Sequence, residues 1–407
     1  MTEWRETDSI RPGVHIDILT NIPNPYRIYK SWREEHPVFQ LEPHGFWAVC
    51  GYADVKFASR RHDIFSSVGV KIVMQPEWLE ESYWRDFSFL VQDAPDHMKS
   101  RKLVNKEFGL KAVKLFIPFI EKAAHSLISE ISPDQEIEFL EGVAAPFSSG
   151  LIDHIIGTEN SQKLSDIQEY SERNKQNILS KPDGEYIENL QNSVLNINQY
   201  FDNLIQKRRA NPKDDLISKL LSTKLEGEKL TDDMVSNLVE LLLLAGTNTL
   251  SHFLCHGMIQ LSRSPDLFYK LKKKPELIPD FIEELLRHST IGPISLRKTT
   301  EAVILSGVTI PKGEIVLLFL ASANRDATIF PDPDDFIMKR ANIHEHLAFG
   351  IGAHQCLGRH LLRLEAKIIV ECILKSFNGI SCPEEDQLEW NNSWIMNSIE
   401  KLPVRFR

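Results

Sequence analysis

The chain has 407 residues, of which 42% are hydrophobic and 26% are charged, and this ordinary globular usage excludes disorder and a fibrous repeat. Its formal net charge of −10 disfavours general binding to nucleic acid or to an anionic membrane. The five cysteines are widely separated, without a CxxC pair or zinc-like spacing, so we expect free thiols in a reducing cytoplasm.

The sequence offers no point at which to divide it. It contains no internal repeat, low-complexity tract or long Gly/Ser linker, so we predict one domain over residues 1–407. Residues 1–30 contain acids and prolines but no apolar stretch, so we expect neither a signal peptide nor a membrane anchor. The expected location is therefore the cytoplasm.

The predicted elements begin with short strands and then become helical. Residues 20–65 combine proline-rich turns with strand-like runs such as Phe46–Cys50, whereas helical periodicity dominates residues 97–290. The clearest element is a helix of about 32 residues, capped by Thr231 and ending before Pro265. Its centre is apolar on nearly every side, which predicts a helix running through a core rather than a membrane span.

The rest of the chain predicts a helix, a β-rich stretch and a final long helix. A helix is expected over Pro279–His288, and β-structure around Val303–Leu320, with turns at Gly307 and Pro311–Gly313. An irregular segment then extends to Phe349. The last helix has apolar residues every three or four positions, marking one buried face: Leu362, Ala366, Ile369, Ile373 and Phe377.

The most specific pattern surrounds one cysteine. Residues 349–358 read FGIGAHQCLG, directly before the final helix, where free backbone N–H groups can hold the Cys356 sulfur ionised. This loop resembles the haem-binding loop of cytochromes P450, Phe-x-x-Gly-x-[Arg/His]-x-Cys-x-Gly. The resemblance implies that the Cys356 thiolate is the metal ligand to the iron of haem b and donates electron density to it. It implies further cofactor-binding positions in the loop: Phe349, Gly350, His354 and Gly358.

Other interpretations of these residues have less support. A cysteine-protease nucleophile would need a second histidine and an asparagine in a pattern that this sequence lacks. Residues His344–His346 look superficially like a metal site but are better explained as a solvated loop, and the prolines of residues 331–335 argue against a calcium loop. The four remaining cysteines are expected to be buried and inert.

Further motifs of the same family follow in the expected order. Glu284 and Arg287 match its Glu-x-x-Arg, in which residues three apart share a helix face and form a structural ion pair. The resemblance implies that a later arginine completes the pair. Arg340 is our candidate, because this chain has Asp335 where many relatives have arginine.

Four basic residues have haem propionates as their implied partners. Residues 93–101 resemble a family helix in which a histidine and an arginine four residues later bind propionates, and His97 and Arg101 occupy those places. Arg297 and His354 match two further propionate-binding positions. The resemblance covers essentially the whole chain. It implies a mainly α fold with small β-sheets (α+β), with haem buried between the long central helix and the cysteine loop with its final helix.

The long helix contains the residues implied to activate oxygen. Ala245-Gly246-Thr247-Asn248-Thr249 matches the family's [Ala/Gly]-Gly-x-[Asp/Glu]-Thr next to the haem, where glycine makes room for the co-substrate dioxygen and threonine donates a hydrogen bond. Asn248 replaces the acid that relays protons, and an amide orients water but does not titrate near neutral pH. We therefore expect protons to arrive through water or through a polar group of the substrate. Outside this family, Thr249 would be expected only to bond to the carbonyl one turn earlier.

The resemblance also implies a substrate pocket and external electron donors. The pocket is expected to be lined from residues around 60–90 and 165–190 and by Leu242, Ile291, Pro293, Ile294, Ser295, Trp394 and Ile395. The implied substrate is a small molecule or a group tethered to a carrier protein. Because the chain has no flavin or ferredoxin segment, ferredoxin or flavodoxin with its reductase must supply two electrons.

Two basic rows form a candidate docking face for such an acidic partner, with a solvated helix surface as the equal alternative. The rows are Lys99, Lys102 and Lys106, and Arg359, Arg363 and Lys367. We expect a monomer that binds neither nucleic acid nor membrane.

The sequence therefore predicts a haem-thiolate monooxygenase that hydroxylates a C–H bond, or performs a related oxidation, on a small organic or natural-product intermediate. A peroxide-driven or oxidative-coupling haem enzyme is the first alternative. Asn248 favours it, whereas the arginine and proline typical of peroxide users near this helix centre are missing from the sequence. The second alternative is a non-catalytic haem-thiolate binding protein, against which Gly246 and Thr249 argue.

Overall fold

Helices make up most of the chain that the structure describes. The computed structural model describes residue 14 and residues 24–70, 89–158, 184–391 and 393–407. Its α-helices are α1 (Tyr26–Glu35), α2 (Tyr52–Arg60), α3 (Asp96–Asn105), α4 (Leu110–Val113), α5 (Ile117–Ser129), α6 (Ala145–Ile156), α7 (Gly184–Ala210), α8 (Leu216–Ser222), α9 (Asp232–Arg263), α10 (Pro265–Lys273), α11 (Ile278–His288), α12 (Leu320–Ala323) and α13 (Arg359–Ser376).

The β-strands are short and form small sheets. They are β1 (Val38–Leu41), β2 (Phe46–Val49), β3 (Phe65–Ser66), β4 (Glu136–Glu138), β5 (Lys224–Leu225), β6 (Glu228–Lys229), β7 (Ile294–Thr299), β8 (Val303–Leu305), β9 (Val308–Ile310), β10 (Ile315–Phe319), β11 (Ile380–Ser381) and β12 (Pro403–Phe406). A five-stranded sheet has the order β1-β2-β10-β7-β3, in which β2 and β10 are parallel and the other neighbours antiparallel. An antiparallel sheet has the order β11-β12-β4, and β5 with β6 and β8 with β9 form separate pairs. This content confirms the predicted α+β class.

The long central helix has its predicted bounds. Thr231 caps α9, since its hydroxyl accepts a hydrogen bond from the Met234 N–H at 3.2 Å, and Pro265 opens the next helix. The length and hydropathy of α9 would allow it to cross a membrane, but 72% of its most apolar window is buried inside the protein. α9 is therefore a core helix, as predicted.

The predicted β-rich stretch and final helix are also present. β8, β9 and β10 fall within Val303–Leu320, and Gly307 turns between β8 and β9 with a φ of +80°. α13 buries Ala366 and Ile369, as its apolar periodicity predicts. It also buries Glu365, which is only 4% exposed and which that periodicity did not indicate.

Contacts between Cα atoms divide the chain into two units, which are described separately. The cysteine unit comprises Met1–Val70, Asp280–Cys356 and Trp390–Glu400. The helical unit comprises Lys71–Pro279, Leu357–Glu389 and Lys401–Arg407. A single folding domain over residues 1–407 remains a prediction.

The cysteine unit is built on the five-stranded sheet. Val49 of β2 and Val316 and Leu318 of β10 have no exposed surface, as expected for neighbouring central strands. Trp32 of α1 packs edge-on against Phe319, with ring centroids 5.5 Å apart. Aromatic packing thus fastens α1 to the end of β10.

The helical unit is built around α9, which packs against α6, α7 and α13. Cys255 and Met258 of α9 are fully buried. Arg208 near the end of α7 forms a buried ion pair with Asp215, the cap of α8, and donates a hydrogen bond to the Gly157 carbonyl at 2.6 Å. This one arginine joins the ends of α6 and α7 to the start of α8.

Candidate active site

Glycines set the backbone conformation of the cysteine loop, residues 349–358. The Cys356 N–H donates to the Phe349 carbonyl at 2.8 Å, which closes the loop. Gly350 and Gly352 have φ values of +63° and +86°, in the left-handed region that favours glycine. A Cβ at Gly352 would lie 2.7 Å from the Ser59 carbonyl oxygen near the end of α2. Two backbone turns and one close approach therefore explain Gly350 and Gly352.

Cys356 differs from the other cysteines in its exposure. All five cysteines lie in described ranges, and only Cys356 is exposed. Burial raises the pKa of the Cys50, Cys255, Cys372 and Cys382 thiols, which keeps them protonated and unreactive. Cys356 is thus the thiol that a metal ion can reach.

Two basic residues lie near one edge of the five-stranded sheet. Arg297 is on β7, is 9% exposed and donates from Nη1 to Ser295 Oγ at 2.9 Å. His354 Nε2 lies 3.2 Å from Ser67 Oγ. Ser67 directly follows β3, the edge strand that pairs with β7. The structure thus places both predicted propionate ligands of the cysteine unit around β3.

The helical unit holds the other predicted pair. His97 of α3 is 2% exposed, and its ring centroid lies 6.2 Å from that of Phe89. The Arg101 guanidinium lies 5.9 Å from the centroid of the same Phe89 ring. Both residues therefore share one face of α3, as their spacing predicts.

A small residue near the middle of α9 is exposed. Ala245 is exposed, although Leu242, Leu243, Asn248 and Leu250 around it are buried. A small residue exposed within an otherwise buried helix gives a flat group direct access to the helix backbone. This position is the predicted haem contact of α9.

Gly246 has a packing role in the helical unit. A Cβ at Gly246 would lie 2.5 Å from Ile152 Cδ1, and the Gly246 carbonyl accepts a hydrogen bond from Ser148 Oγ at 2.9 Å. α6 therefore approaches α9 closely at this glycine. The sequence interpretation assigned Gly246 only to making room for dioxygen and missed this contact.

The threonine and the amide of the oxygen motif have different surroundings. Thr249 Oγ1 donates to the Ala245 carbonyl at 2.6 Å, the bond expected of a threonine within a helix. Asn248 is 7% exposed. Because the Thr249 hydroxyl already donates to the Ala245 carbonyl, its lone pairs remain available to accept a hydrogen bond from water or another donor.

The buried ion pair includes the third member assigned from sequence. Glu284 and Arg287 are both 0% exposed, and Arg287 donates to the two carboxylate oxygens at 2.9 and 2.7 Å. Arg340 Nε donates to Glu284 Oε1 at 3.0 Å. The Asp335 carbonyl accepts from both arginines, at 3.0 and 2.7 Å. The residue that replaces the family arginine thus contributes its backbone.

The His344–His346 loop is packed more firmly than the solvated loop predicted. Glu345 accepts hydrogen bonds from Tyr52 Oη at 2.8 Å and from Lys56 Nζ at 2.6 Å. The His346 side chain is 4% exposed and lies 3.1 Å from Glu283. These contacts give the loop a structural role.

The predicted pocket residues of the cysteine unit lie in two joined segments. The Asn397 N–H donates to the Ile291 carbonyl at 2.8 Å and ties residues 390–400 to the segment before β7. Four of these residues are buried, namely Ile291, Pro293, Ile294 and Trp394, and two are partly exposed, namely Ser295 and Ile395. Leu242, in the helical unit, is buried. The lining segments predicted around 60–90 and 165–190 fall mainly on residues 71–88 and 159–183, outside the described residues.

The predicted basic rows of the helical unit are partly occupied by ion pairs. Lys99 forms an ion pair with Glu226 at 2.8 Å, and Lys367 forms one with Glu371 at 2.9 Å. Arg359 and Arg363 are half-buried, whereas Lys102 and Lys106 are exposed. Lys102 and Lys106 are therefore the more accessible charges for a docking partner.

Comparison with known proteins identifies the family. The family model described as Cytochrome P450 matches residues 20–406. This chain belongs to the cytochrome P450 family. Cytochrome P450 107B1 of Saccharopolyspora erythraea is 33% identical over 368 residues, which cover 88% of this chain and 89% of that protein. Like other cytochromes P450, the protein is a haem-thiolate monooxygenase.

Solved cytochrome P450 structures have the same fold. The structure of CYP109Q5 from Chondromyces apiculatus matches with a TM-score of 0.84 and 30% identity, covering 98% of this chain and 97% of that one. P450BioI in complex with an acyl carrier protein ligated to hexadec-9Z-enoic acid matches with a TM-score of 0.86 and 28% identity, covering 96% and 100%. The cytochrome P450 fold is thereby established for this chain.

Each unit, taken by itself, contains residues that are chemically suited to the haem that the family requires. The exposed Cys356 thiol supplies a soft ligand for iron. His97 with Arg101, and Arg297 with His354, are two sets of donors suited to carboxylates. Sequence reasoning missed three contacts: Ser59 with Gly352, Ser67 with His354, and Phe89 with His97 and Arg101. Ser67 and Phe89 had a signal, since both lie in the predicted lining segment around residues 60–90.

Proposed function

We propose that this cytochrome P450 hydroxylates a C–H bond, or performs a related oxidation, on a small organic or natural-product intermediate in the cytoplasm. Dioxygen is the co-substrate, and ferredoxin or flavodoxin with its reductase supplies two electrons. The observation that carries this proposal is the exposed Cys356 thiol in a loop fixed by Gly350 and Gly352. A thiolate ligand favours cleavage of the O–O bond, which hydroxylation requires.

Haem b, which supplies the oxygen-activating chemistry when bound, is held by the Cys356 thiolate in this proposal. Its propionate carboxylates would be held by four basic residues, His97, Arg101, Arg297 and His354. The remaining contacts with the cofactor come from Phe349, Gly350, Gly358 and Ala245. The buried Arg297 and His97 are held by packing, which fixes their geometry before the cofactor arrives.

Thr249 and Asn248 control protons and water beside the reaction. The Thr249 hydroxyl donates its hydrogen bond to the Ala245 carbonyl. Its oxygen is therefore available to accept a hydrogen bond from water. The Asn248 amide orients such a water but cannot exchange a proton with it near neutral pH. The protons therefore come from a group other than Asn248, through water or through a polar group of the substrate.

The substrate is proposed to be largely apolar. Leu242, Ile291, Ile294 and Trp394 are buried apolar residues, which bind hydrocarbon and exclude water from the reaction. Ser295 accepts a hydrogen bond from Arg297, which limits its role as a polar anchor. A natural-product scaffold, a terpenoid and an acyl or aminoacyl group on a carrier protein all fit these properties. The structurally similar P450BioI is known in complex with an acylated carrier protein.

Spectral titration tests the substrate class. Displacement of water from a haem iron by a substrate shifts its spin state, so purified protein is titrated with a free fatty acid, a terpenoid, and the same acyl chain on a carrier protein. We expect a saturable shift with at least one of them, and weaker binding in Trp394→Ala. If none of the three shifts the spectrum, the proposed apolar substrate class is wrong.

Kinetics with a ferredoxin test the electron donor. Reversal of an exposed charge in the docking row, Lys102→Glu, is expected to raise the KM for ferredoxin without changing kcat. Lys312→Glu, in the exposed turn before β10 of the cysteine unit, is the matched control. Equal KM values for both variants and the wild type would exclude this row as the docking face.

Peroxide-driven turnover is the second candidate, and Asn248 is the observation that favours it. An enzyme fed by peroxide receives oxygen already reduced and protonated, and therefore needs no acid at position 248. Peroxide alone should then support product formation as fast as ferredoxin and reductase do. Much slower peroxide turnover, with faster coupled turnover in Asn248→Asp, supports the external-electron enzyme.

A further inference from the structure

A polar row runs along the core helix α9 from end to end. Every fourth residue from the start of α9 to its C-cap is polar, with Leu244 as the exception. The row is Asp232, Ser236, Glu240, Asn248, His252, His256, Gln260 and Ser264. Residues four apart lie next to each other on a helix surface, so the side chains from Asn248 to Ser264 form a continuous line. Such a line is unexpected in a helix that is otherwise apolar and buried.

The second half of the row is buried at the centre and opens toward the C-terminal end. Asn248, His252 and His256 are 7%, 5% and 7% exposed. Gln260 is half-buried, and Arg263 is exposed. The line thus leads from solvent at the end of α9 to the residue beside Thr249.

Apolar residues flank this half of the row on α9. Phe253, Cys255 and Ile259 each lie three residues from one of the two histidines, and each is at most 4% exposed. Leucine or methionine would fill the same space without polar atoms, so packing alone does not require histidine at these two positions. Two successive buried histidines on one ridge therefore indicate a use for titratable rings.

Imidazole is suited to passing a proton in two directions. One ring nitrogen accepts a proton while the other releases one, and the ordinary pKa of histidine is about 6.5. The Cβ atoms of His252 and His256 are about 5–6 Å apart, as for any residues one turn apart, which is bridged directly or by one water. An amide at either end holds water in line but does not titrate.

We propose that His256 and His252 carry protons from solvent at the Gln260 end of α9 to the water that Asn248 orients beside Thr249. This rests on the proposed function, because it supplies the protons that monooxygenation consumes. His256 takes a proton from solvent on one ring nitrogen and releases the proton of its other nitrogen to His252, which passes on its own in the same way. Both rings end neutral in the opposite tautomer and reset by ring rotation, so one proton moves and no electron does.

The path replaces the acid that the family motif [Ala/Gly]-Gly-x-[Asp/Glu]-Thr has at the place of Asn248. A carboxylate takes its proton from nearby solvent, whereas the buried Asn248 cannot titrate and needs a donor one turn away. His252 occupies that place. The two histidines act through the Asn248 water rather than on the substrate.

Coupling measurements on the holoenzyme test the path. His252→Gln and His256→Gln keep hydrogen-bonding groups of similar size but cannot carry protons. With ferredoxin, reductase and a substrate that shifts the spin state, we expect each variant to lose about tenfold or more of its product per electron pair. The electrons should appear as hydrogen peroxide, and the solvent isotope effect should rise. The double variant should be no worse than either single one, because the two sites act in series.

His154→Gln is the matched control, since His154 is an exposed histidine of α6 in the same unit. It should couple like the wild type, and all variants should retain the thiolate-type carbonyl band. Coupling within about twofold of wild type in both His252→Gln and His256→Gln would overturn the proposal.

A measurement independent of turnover uses nitrogen NMR of the ferrous carbonyl complex with ¹⁵N-labelled histidine. We expect the rings of His252 and His256 to exchange between tautomers, and His256→Gln to change the tautomer ratio of His252. Two rings that are each fixed in one tautomer in the wild type contradict the path, whether or not a variant folds. If the wild type itself lacks a thiolate-type band, the proposed function fails instead, and the same ring spectra, recorded without carbon monoxide, still decide whether the row exchanges protons.

Discussion

Removal of the charge of Glu284 should destabilise the cysteine unit strongly. Glu284 is 0% exposed and accepts four hydrogen bonds, two from Arg287, one from Arg340 and one from the Ile337 N–H, all between 2.7 and 3.0 Å. Glu284→Gln leaves both guanidinium groups buried without a counterion at almost unchanged volume. Breaking a buried pair costs about 3–5 kcal/mol, a large part of a typical total stability of about 5–15 kcal/mol.

Urea denaturation followed by circular dichroism measures this cost. The control is Asp280→Asn, also on α11, because Asp280 is 39% exposed and lies 3.8 Å from Lys339, which is 64% exposed. An exposed pair of this kind should change the free energy of unfolding by less than about 1 kcal/mol.

Arg340→Met serves if Glu284→Gln does not accumulate as folded protein. It keeps the pair of Glu284 with Arg287 but removes the donor to the Asp332 and Asp335 carbonyls, so a loss of about 1–3 kcal/mol is expected. If Glu284→Gln and Asp280→Asn had equal stabilities, the reasoning about this buried charge would be refuted.

Three further results are expected. Burial raises the pKa of Glu365 well above its ordinary value of 4.5, so the folded protein holds a proton that the unfolded chain releases. The contribution of this proton to the free energy of unfolding is complete below pH 4.5. It decreases by about 1.4 kcal/mol for each pH unit above that, until the pH reaches the pKa of Glu365 in the folded protein. Glu365→Gln should therefore gain stability over the wild type as the pH rises from about 5 to 8, and a constant difference in urea would contradict this. Gly352→Ala should lose about 1–2 kcal/mol or more in the same assay, because its φ is +86° and its new Cβ meets the Ser59 carbonyl; an unchanged midpoint would show that the loop adapts. Asp215→Asn should cost about 3–5 kcal/mol by leaving Arg208 buried without its counterion, and a loss below about 1 kcal/mol would contradict that.

Local chemistry made part of the fold predictable from the sequence. Thr231 and Pro265 fix the ends of α9 through rules that involve only neighbouring residues, and both ends are observed. The glycine pattern around Cys356 is likewise local, since backbone turns need particular residue types. These features could be predicted without knowing which segments meet.

Long-range contacts were not predictable in the same way. The contact of Gly352 with Ser59 and that of His354 with Ser67 join residues almost 300 positions apart. Burial of Glu365 depends on what packs against α13, and one charged residue on an apolar face gives no signal by itself. Arg340 was found only because the family resemblance required a third partner for Glu284, whose geometry the structure then supplied.

The polar row of α9 illustrates a third case. Its spacing is visible in the sequence, but its meaning depends on burial. His252 on a solvated face would be ordinary, whereas His252 at 5% exposure in a core helix calls for a physical reason.

The most direct measurement of the central assignment is the carbon monoxide difference spectrum of the reduced protein. The wild type and Cys382→Ala, which alters a half-buried cysteine, should both show the red-shifted Soret band typical of thiolate-ligated haem. Cys356→Ala should lack that band while retaining its far-ultraviolet circular dichroism. Absence of the band from the haem-reconstituted wild type, or its persistence in Cys356→Ala, would contradict the assignment of Cys356 as the iron ligand.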